Sequence, residues 1–159
     1  KYHDHFLINT FSSSTNKDWG TKNWIDFVRS VKPDHKLIHA NKSEVNDLDF
    51  HETKSFRELL MLMCSVKGVI TTEGGVHHAS AALNIPAFVL FGSRIDVRSM
   101  GYENHLNVIA DGGKTPCMCP TGSKCNYCIK CWKKLKPSVV HEHFLKFIDG
   151  QRGNRNLQI

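Results

Sequence analysis

The chain has 159 residues, 40% of them hydrophobic, which is enough for one domain with a proper core. No apolar run approaches bilayer-spanning length, so no membrane-spanning helix is expected in these residues. The 21 Lys and Arg against 15 Asp and Glu leave a net charge of +6, which favours anionic ligands or a membrane surface. The basic residues are spread along the chain without a basic–aromatic module, so no nucleic-acid partner is expected.

The N-terminal KYHDHF is neither a signal peptide nor an initiator Met, and Lys1 opens inside a strand-like pattern, as in a fragment. The first apolar run, residues 6–10, leads into a loop rich in hydroxyls and then a helix over 22–31, for which Thr21 is a plausible N-cap. A second strand is expected over 36–40 and a weaker one over 48–50. The next helix, 56–66, opens on a capping box made by Ser55 and Glu58. Cys64, on that apolar helix, is expected in the core.

Residues 68–92, GVITTEGGVHHASAALNIPAFVLFG, are the most informative stretch. Two short apolar runs, Gly68–Thr72 and Ala87–Phe91, flank a glycine turn and a small-residue helix over 76–83, which Pro86 prevents from continuing. Runs apolar on both faces are the pattern of strands in a covered parallel sheet. Backbone amides of Gly74, Gly75 and Val76 would then stand at a helix N-terminus with little side chain in the way, a place that receives phosphate. Glu73 and His78 lie on the same turn, at the carboxyl end of a strand where open α/β sheets bind ligands. His77 is expected to pack in the core. A further strand over 106–110, a cysteine-rich stretch, a helix over 139–148 and a loose tail over 151–159 complete the chain. Strands alternating with helices predict a Rossmann-like α/β domain, a parallel sheet with helices on both faces, over residues 1–150.

The cysteine-rich insertion, residues 112–136, contains CMCPTGSKCNYCIKC. Cys125 and Cys128 form a chelating knuckle, and Cys117 or Cys119 with Cys131 would complete a tetrahedral thiolate site for zinc or an iron–sulfur cluster. Free or oxidised thiols are the alternative reading. Packing alone does not explain five cysteines set among Gly, Lys, Asn and Pro.

The Glu73-Gly74-Gly75-Val76-His77-His78 turn, with Ala79-Ser80-Ala81-Ala82-Leu83, Pro86 and Leu90-Phe91-Gly92 after it, resembles the Asp-x-Gly-x-x-His signature of glycosyltransferase family nine. Those are the ADP-heptose:lipopolysaccharide heptosyltransferases, and the similarity lies in their C-terminal, nucleotide-sugar-binding half. Phe6-Leu7-Ile8-Asn9 followed by Ser12-Ser13-Ser14-Thr15-Asn16-Lys17-Asp18-Trp19 and Asn23-Trp24 is similar to the family's Ser/Thr-rich loop, Lys-x-Trp and following helix. Cys131-Trp132-Lys133-Lys134-Leu135-Lys136-Pro137-Ser138-Val139-Val140 resembles its C-terminal ending.

The resemblance implies the donor half of an inverting GT-B glycosyltransferase, in the bacterial cytoplasm or peripherally at the inner membrane face. Its partners would be a nucleotide-diphosphate sugar, a glycolipid acceptor and an N-terminal acceptor domain holding the general base. No cofactor would be needed for transfer: Lys17 would neutralise the leaving diphosphate, with hydroxyls from Thr10, Ser12 and Ser13 assisting. Glu44 would accept from the ribose hydroxyls, and Asn41 and the backbone of residues 53–55 would be weaker contacts to the base. Glu73 stands where the family has Asp, which bears on the choice of sugar. Rival readings are a UDP-sugar epimerase or hydrolase of the same fold, and a non-catalytic metal-binding module.

Overall fold

The structure, a computed structural model, describes residues 1–40, 43–45, 48–110, 116–120 and 122–155. Among these, six strands form one sheet: β1 (His5–Asn9), β2 (Lys36–His39), β3 (Asp49–Phe50), β4 (Gly68–Thr72), β5 (Ala87–Phe91) and β6 (His105–Ile109). Their order is β3-β2-β1-β4-β5-β6, and every pairing is parallel. The chain winds outward from β1 to β3, returns to β4 on the other side of β1, and winds outward again to β6. Ile8 pairs with Ile70 and Asn9 with Thr71 at that seam. Loops leaving β1 and β4 therefore diverge above and below the sheet, opening a crevice beyond their carboxyl ends.

Side chains alternating along the strands build a core on each face. Phe6 and Ile8 of β1, with Ile70, Phe88 and Leu90, pack against Trp24, Phe27, Val28 and Val31 of α1 (Thr21–Val31) and Phe144, Phe147 and Ile148 of α6 (Pro137–Arg155). Leu7, Val69, Val89 and Phe91 face the other way, against Leu62 and Met63 of α2 (Phe56–Cys64). β4 and β5 are buried at all positions, which is why their sequences are apolar without alternation. Fully burying side chains of this size contributes ~1.5–3 kcal/mol each.

The helix boundaries carry several corrections. Gly20, with φ 95°, occupies the N-cap of α1; Thr21 is the first helical residue. Asp18 Oδ1 accepts from the Gly20 N–H at 2.8 Å, so a left-handed glycine starts the helix where a side-chain cap was expected. Ser55 does cap α2, accepting from the Glu58 N–H at 3.2 Å, but Glu58 reaches back to the Lys54 N–H at 2.8 Å, one residue further than a capping box requires. Cys64 is exposed, not core: it shares the outward face of α2 with Met61, three residues away.

Part of the cysteine-rich insertion is a helix, α5 (Asn126–Lys134), which the sequence reading missed. Cys128, Cys131, Trp132 and Leu135 are buried along it, an i, i+3, i+4, i+7 stripe. A short helix, α4 (Val97–Met100), follows β5, and α6 starts with Pro137 and continues through Gln151 to Arg155. Trp132 fits against Gly92 so closely that a Cβ there would come within 2.7 Å of two indole carbons. Gly92→Ala is therefore expected to destabilise the domain by about 1–3 kcal/mol, the usual cost of overpacking. A lowered urea midpoint would register it; an unchanged one would mean that Trp132 moves aside freely.

Candidate functional site

The β1–β4 seam brings two distant segments together. After β1, the chain makes a 3-10 turn, Thr15–Lys17, that delivers the Lys17 side chain; after β4, Glu73 and Gly74 lead into α3 (Gly75–Ala82). Lys17 Nζ lies 2.7 Å from one Glu73 oxygen and 3.0 Å from the other. The pair is largely removed from water, at 19% and 9% side-chain exposure, so each charge depends on the other. Glu73 is anchored through its own N–H, which donates to the Leu90 carbonyl at 3.0 Å.

Beside this pair, the first amides of α3 have no acceptor within the helix and carry the positive end of its dipole. A Cβ placed on Gly74 or Gly75 would meet no heavy atom within 4 Å, so the space over these amides is open to an incoming group. Gly75 is already the first helical residue, and its lack of a side chain serves access more than turn geometry. Val76 packs its side chain against the α2-side core, fixing the helix start on the sheet.

The two histidines divide as their neighbours dictate. His77 is fully buried, with ring contacts to Phe91, Tyr102 and His105. Burial, then the neighbouring His105, His78 and Lys17 charges, push its pKa down to about 3, so it packs as a neutral ring. His78 is 42% exposed, with Nε2 4.0 Å from Glu73 and Nδ1 3.0 Å from the Tyr102 hydroxyl. Tyr102, which sequence reasoning did not single out, orients this imidazole. Arg94 was also missed: it lines one small cavity with Asn16, Lys17, Glu73 and Trp132. Its position just past the carboxyl end of β5 was the available signal.

The other predicted residues have local partners or face solvent. Thr10 Oγ1 lies 3.2 Å from His39 Nε2 and 3.0 Å from Ser43 Oγ, at the ends of β1 and β2. The Ser12 hydroxyl donates to the Ser14 carbonyl at 3.0 Å and accepts from the Ser14 N–H, while Ser13 is exposed. Glu44, read as a ribose ligand, is exposed and accepts from the Thr21 hydroxyl at 3.3 Å, holding the start of α1. Thr53 donates to the Ala40 carbonyl at 3.4 Å. Asn41 lies outside the described residues.

A second constellation adjoins the first. The sulfurs of Cys117, Cys119, Cys125 and Cys128 all lie within 4.8 Å of one another. The Cys117–Cys128, Cys119–Cys128 and Cys117–Cys125 separations are 3.2, 3.6 and 3.9 Å. Tetrahedral thiolates bound 2.3 Å from one ion would be ~3.8 Å apart, so the four fit a single metal ion. A polynuclear cluster interposes several atoms between its ligands and would hold them further apart. Cys131 is not in the set: it is 1% exposed and packs in the α1–α6 core, away from the four clustered sulfurs, so the expected ligand is a packing residue. Burial opposes ionisation of Cys119, but hydrogen bonds from Ser123, Cys117, Asn16 and Cys128 outweigh it and bring its pKa down to about 6. Burial pushes the Cys117 and Cys128 thiols up.

No protein-family model and no curated protein matches the sequence, but solved structures match the fold. The E. coli heptosyltransferase WaaC with ADP superposes with a TM-score of 0.70 at 12% identity, over 91% of this chain and 44% of that one. TibC from enterotoxigenic E. coli, described as a bacterial iron-containing dodecameric glycosyltransferase, gives 0.72 at 16% identity, over 92% and 45%. A family 9 glycosyl transferase from Veillonella parvula gives 0.65 at 12% identity, over 91% and 46%.

This is the Rossmann-like fold of about half of those structures.

The chain spans less than half the length of these structures. Doubly wound sheets receive ligands at the switch point, and here the Lys17–Glu73 pair stands at that point. Among the described residues, no helix is long and apolar enough to cross a membrane.

Proposed function

We propose that this chain is the donor-binding half of an inverting glycosyltransferase, taking a nucleotide-diphosphate sugar of the ADP-heptose kind for transfer to lipopolysaccharide or another surface glycan. The observation that carries this reading is the meeting of the Lys17 cation with the open N-terminus of α3 across the β1–β4 seam. Breaking the bond between sugar and β-phosphate builds negative charge on the phosphate oxygens. A helix N-terminus and a held ammonium stabilise that charge without a catalytic metal. Both Glu73 oxygens lie on Lys17, so the longer side chain at this position serves first to aim the cation. His78, steadied by Tyr102, is placed to donate to a phosphate or sugar oxygen. The acceptor glycolipid and the base that deprotonates it belong to an N-terminal domain in this reading. The protein would work in the cytoplasm, against the inner membrane face, and would need no nucleic acid.

The four clustered thiols would hold one structural ion, zinc or iron; that TibC is described as iron-containing supports a metal in a protein of this fold. A bound ion supplies deprotonation of the thiols and a cross-link between loop and helix. Calorimetric titration of the whole chain with ADP, UDP and GDP tests the donor reading. ADP binding in preference to UDP supports it, a clear UDP preference favours an epimerase or hydrolase of this fold, and no binding by the folded protein overturns it. Intact nucleotide binding with no loss of function on Cys replacement would also set aside a purely metal-binding module.

A further inference from the structure

We propose that Asn16 is a positioning residue, tying the Lys17 loop to the thiolate cluster so that an ion on Cys117, Cys119, Cys125 and Cys128 tightens diphosphate binding. This rests on the donor-site reading above and adds a regulator to it. Asn16 is 1% exposed, and both polar atoms of its side chain and its carbonyl are hydrogen-bonded. Nδ2 donates to the Pro120 carbonyl at 2.9 Å and to Cys119 Sγ at 3.2 Å, with Ser123 Oγ 3.5 Å away. Its Oδ1 accepts from the Ser14 hydroxyl, and its carbonyl accepts from Trp132 Nε1 at 3.1 Å. Ser14 Oγ in turn accepts from the Gly122 N–H at 2.8 Å.

Residues 14–16 thus bond to both the loop that carries Cys119 and the helix that carries Cys128. Lys17 is the next residue, its N–H donating to the Ser14 carbonyl at 2.9 Å, and its ammonium ends on Glu73. A side chain this short of exposure, bridging two loops, is poorly explained as packing alone, because an apolar residue would fill the space without three polar acceptors to satisfy. With the thiols ionised on a metal, Cys119 becomes a stronger acceptor for the Asn16 amide, and the loop that presents Pro120, Gly122 and Ser123 is fixed. Without the ion, that loop regains conformational freedom and Lys17 loses its backing. Coupling of this kind is reciprocal: a diphosphate on Lys17 must tighten the ion by the same factor by which the ion tightens the diphosphate.

The test uses the full chain, metal-free and loaded with Co(II), in wild type and Asn16→Leu, which keeps the volume and removes the donors. In wild type, loading cobalt is expected to tighten ADP ~10-fold, within the usual span of coupling between sites, and saturating ADP to tighten cobalt equally. Asn16→Leu retains four thiolates and should still bind cobalt, with its sulfur-to-cobalt charge-transfer band shifted. Its ADP affinity should match that of metal-free wild type and no longer respond to cobalt. Equal ADP affinity with and without cobalt in wild type, or wild-type behaviour in Asn16→Leu, would overturn the proposal. If Asn16→Leu does not fold, Ser14→Ala takes its place, losing the Gly122 bond and part of the coupling. If no nucleotide binds the cobalt-loaded wild type, the donor reading fails, and amide exchange of residues 12–19 decides this one: cobalt-dependent protection supports it and unchanged protection overturns it.

Discussion

Cys128→Ser should yield a protein without stoichiometric zinc or iron, whereas Cys131→Ser should keep its metal and lose stability instead. The two residues are three positions apart on α5 and both are buried, yet their sulfurs have different neighbours: three thiols around one, the aromatic core around the other. A tetrathiolate ion contributes directly to folding, with apparent values of about 10–16 kcal/mol in small zinc domains, so losing a ligand here should be among the most damaging single changes. The damage should be local at first, with residues 116–136 losing amide-exchange protection while β4 and β5 retain theirs. Cys131→Ser places a hydroxyl among Trp132, Leu135 and their neighbours, at a cost of about 1–3 kcal/mol. Elemental analysis of freshly reduced protein checks both; no zinc or iron in wild type would remove the metal site, and metal lost equally from both variants would return Cys131 to the ligand set.

Much of the fold was legible because burial on both faces leaves an unmistakable pattern. The spans of β4 and β5 follow from runs with no charged residue to break them, and Pro86 marks the end of α3. What the sequence conceals is adjacency. Lys17 and Glu73 are each visible as loop residues at strand ends, but their ion pair depends on the strand order that sets β1 beside β4. Glu44, a looser expectation from the segment after β2, is exposed and accepts from the Thr21 hydroxyl, a bond across 23 positions that no local pattern announces. In the cysteine-rich stretch two periodicities overlap. The Cys-x-x-Cys spacing that suggests chelation is also the spacing of a helix face, and only the neighbours of each sulfur, three thiols for Cys128 and the core for Cys131, separate the two. Asn16 carried no signal at all, since its importance lies in bonds to residues more than a hundred positions downstream.

Lys17→Ala should weaken ADP binding ~10- to 100-fold, corresponding to about 1–3 kcal/mol for a charge-assisted hydrogen bond. It should also lower the melting temperature, because Glu73, with 9% of its side chain exposed, is left without its counter-charge. Unpairing a sequestered charge costs ~3 kcal/mol at the low end of the range for buried pairs. Glu73→Gln removes the other half: stability should fall as Lys17 loses its anchor, but ADP binding should not weaken, since a negative charge beside the diphosphate has been removed while the cation remains. The double replacement, Lys17→Ala with Glu73→Gln, separates the two effects. No buried charge is left unpaired in it, so its melting temperature should recover above that of Lys17→Ala alone, while its ADP affinity stays as low. Calorimetry and thermal unfolding on the four proteins measure both quantities. ADP affinity restored along with stability would mean that Lys17 acts only through the fold and that the diphosphate is bound elsewhere.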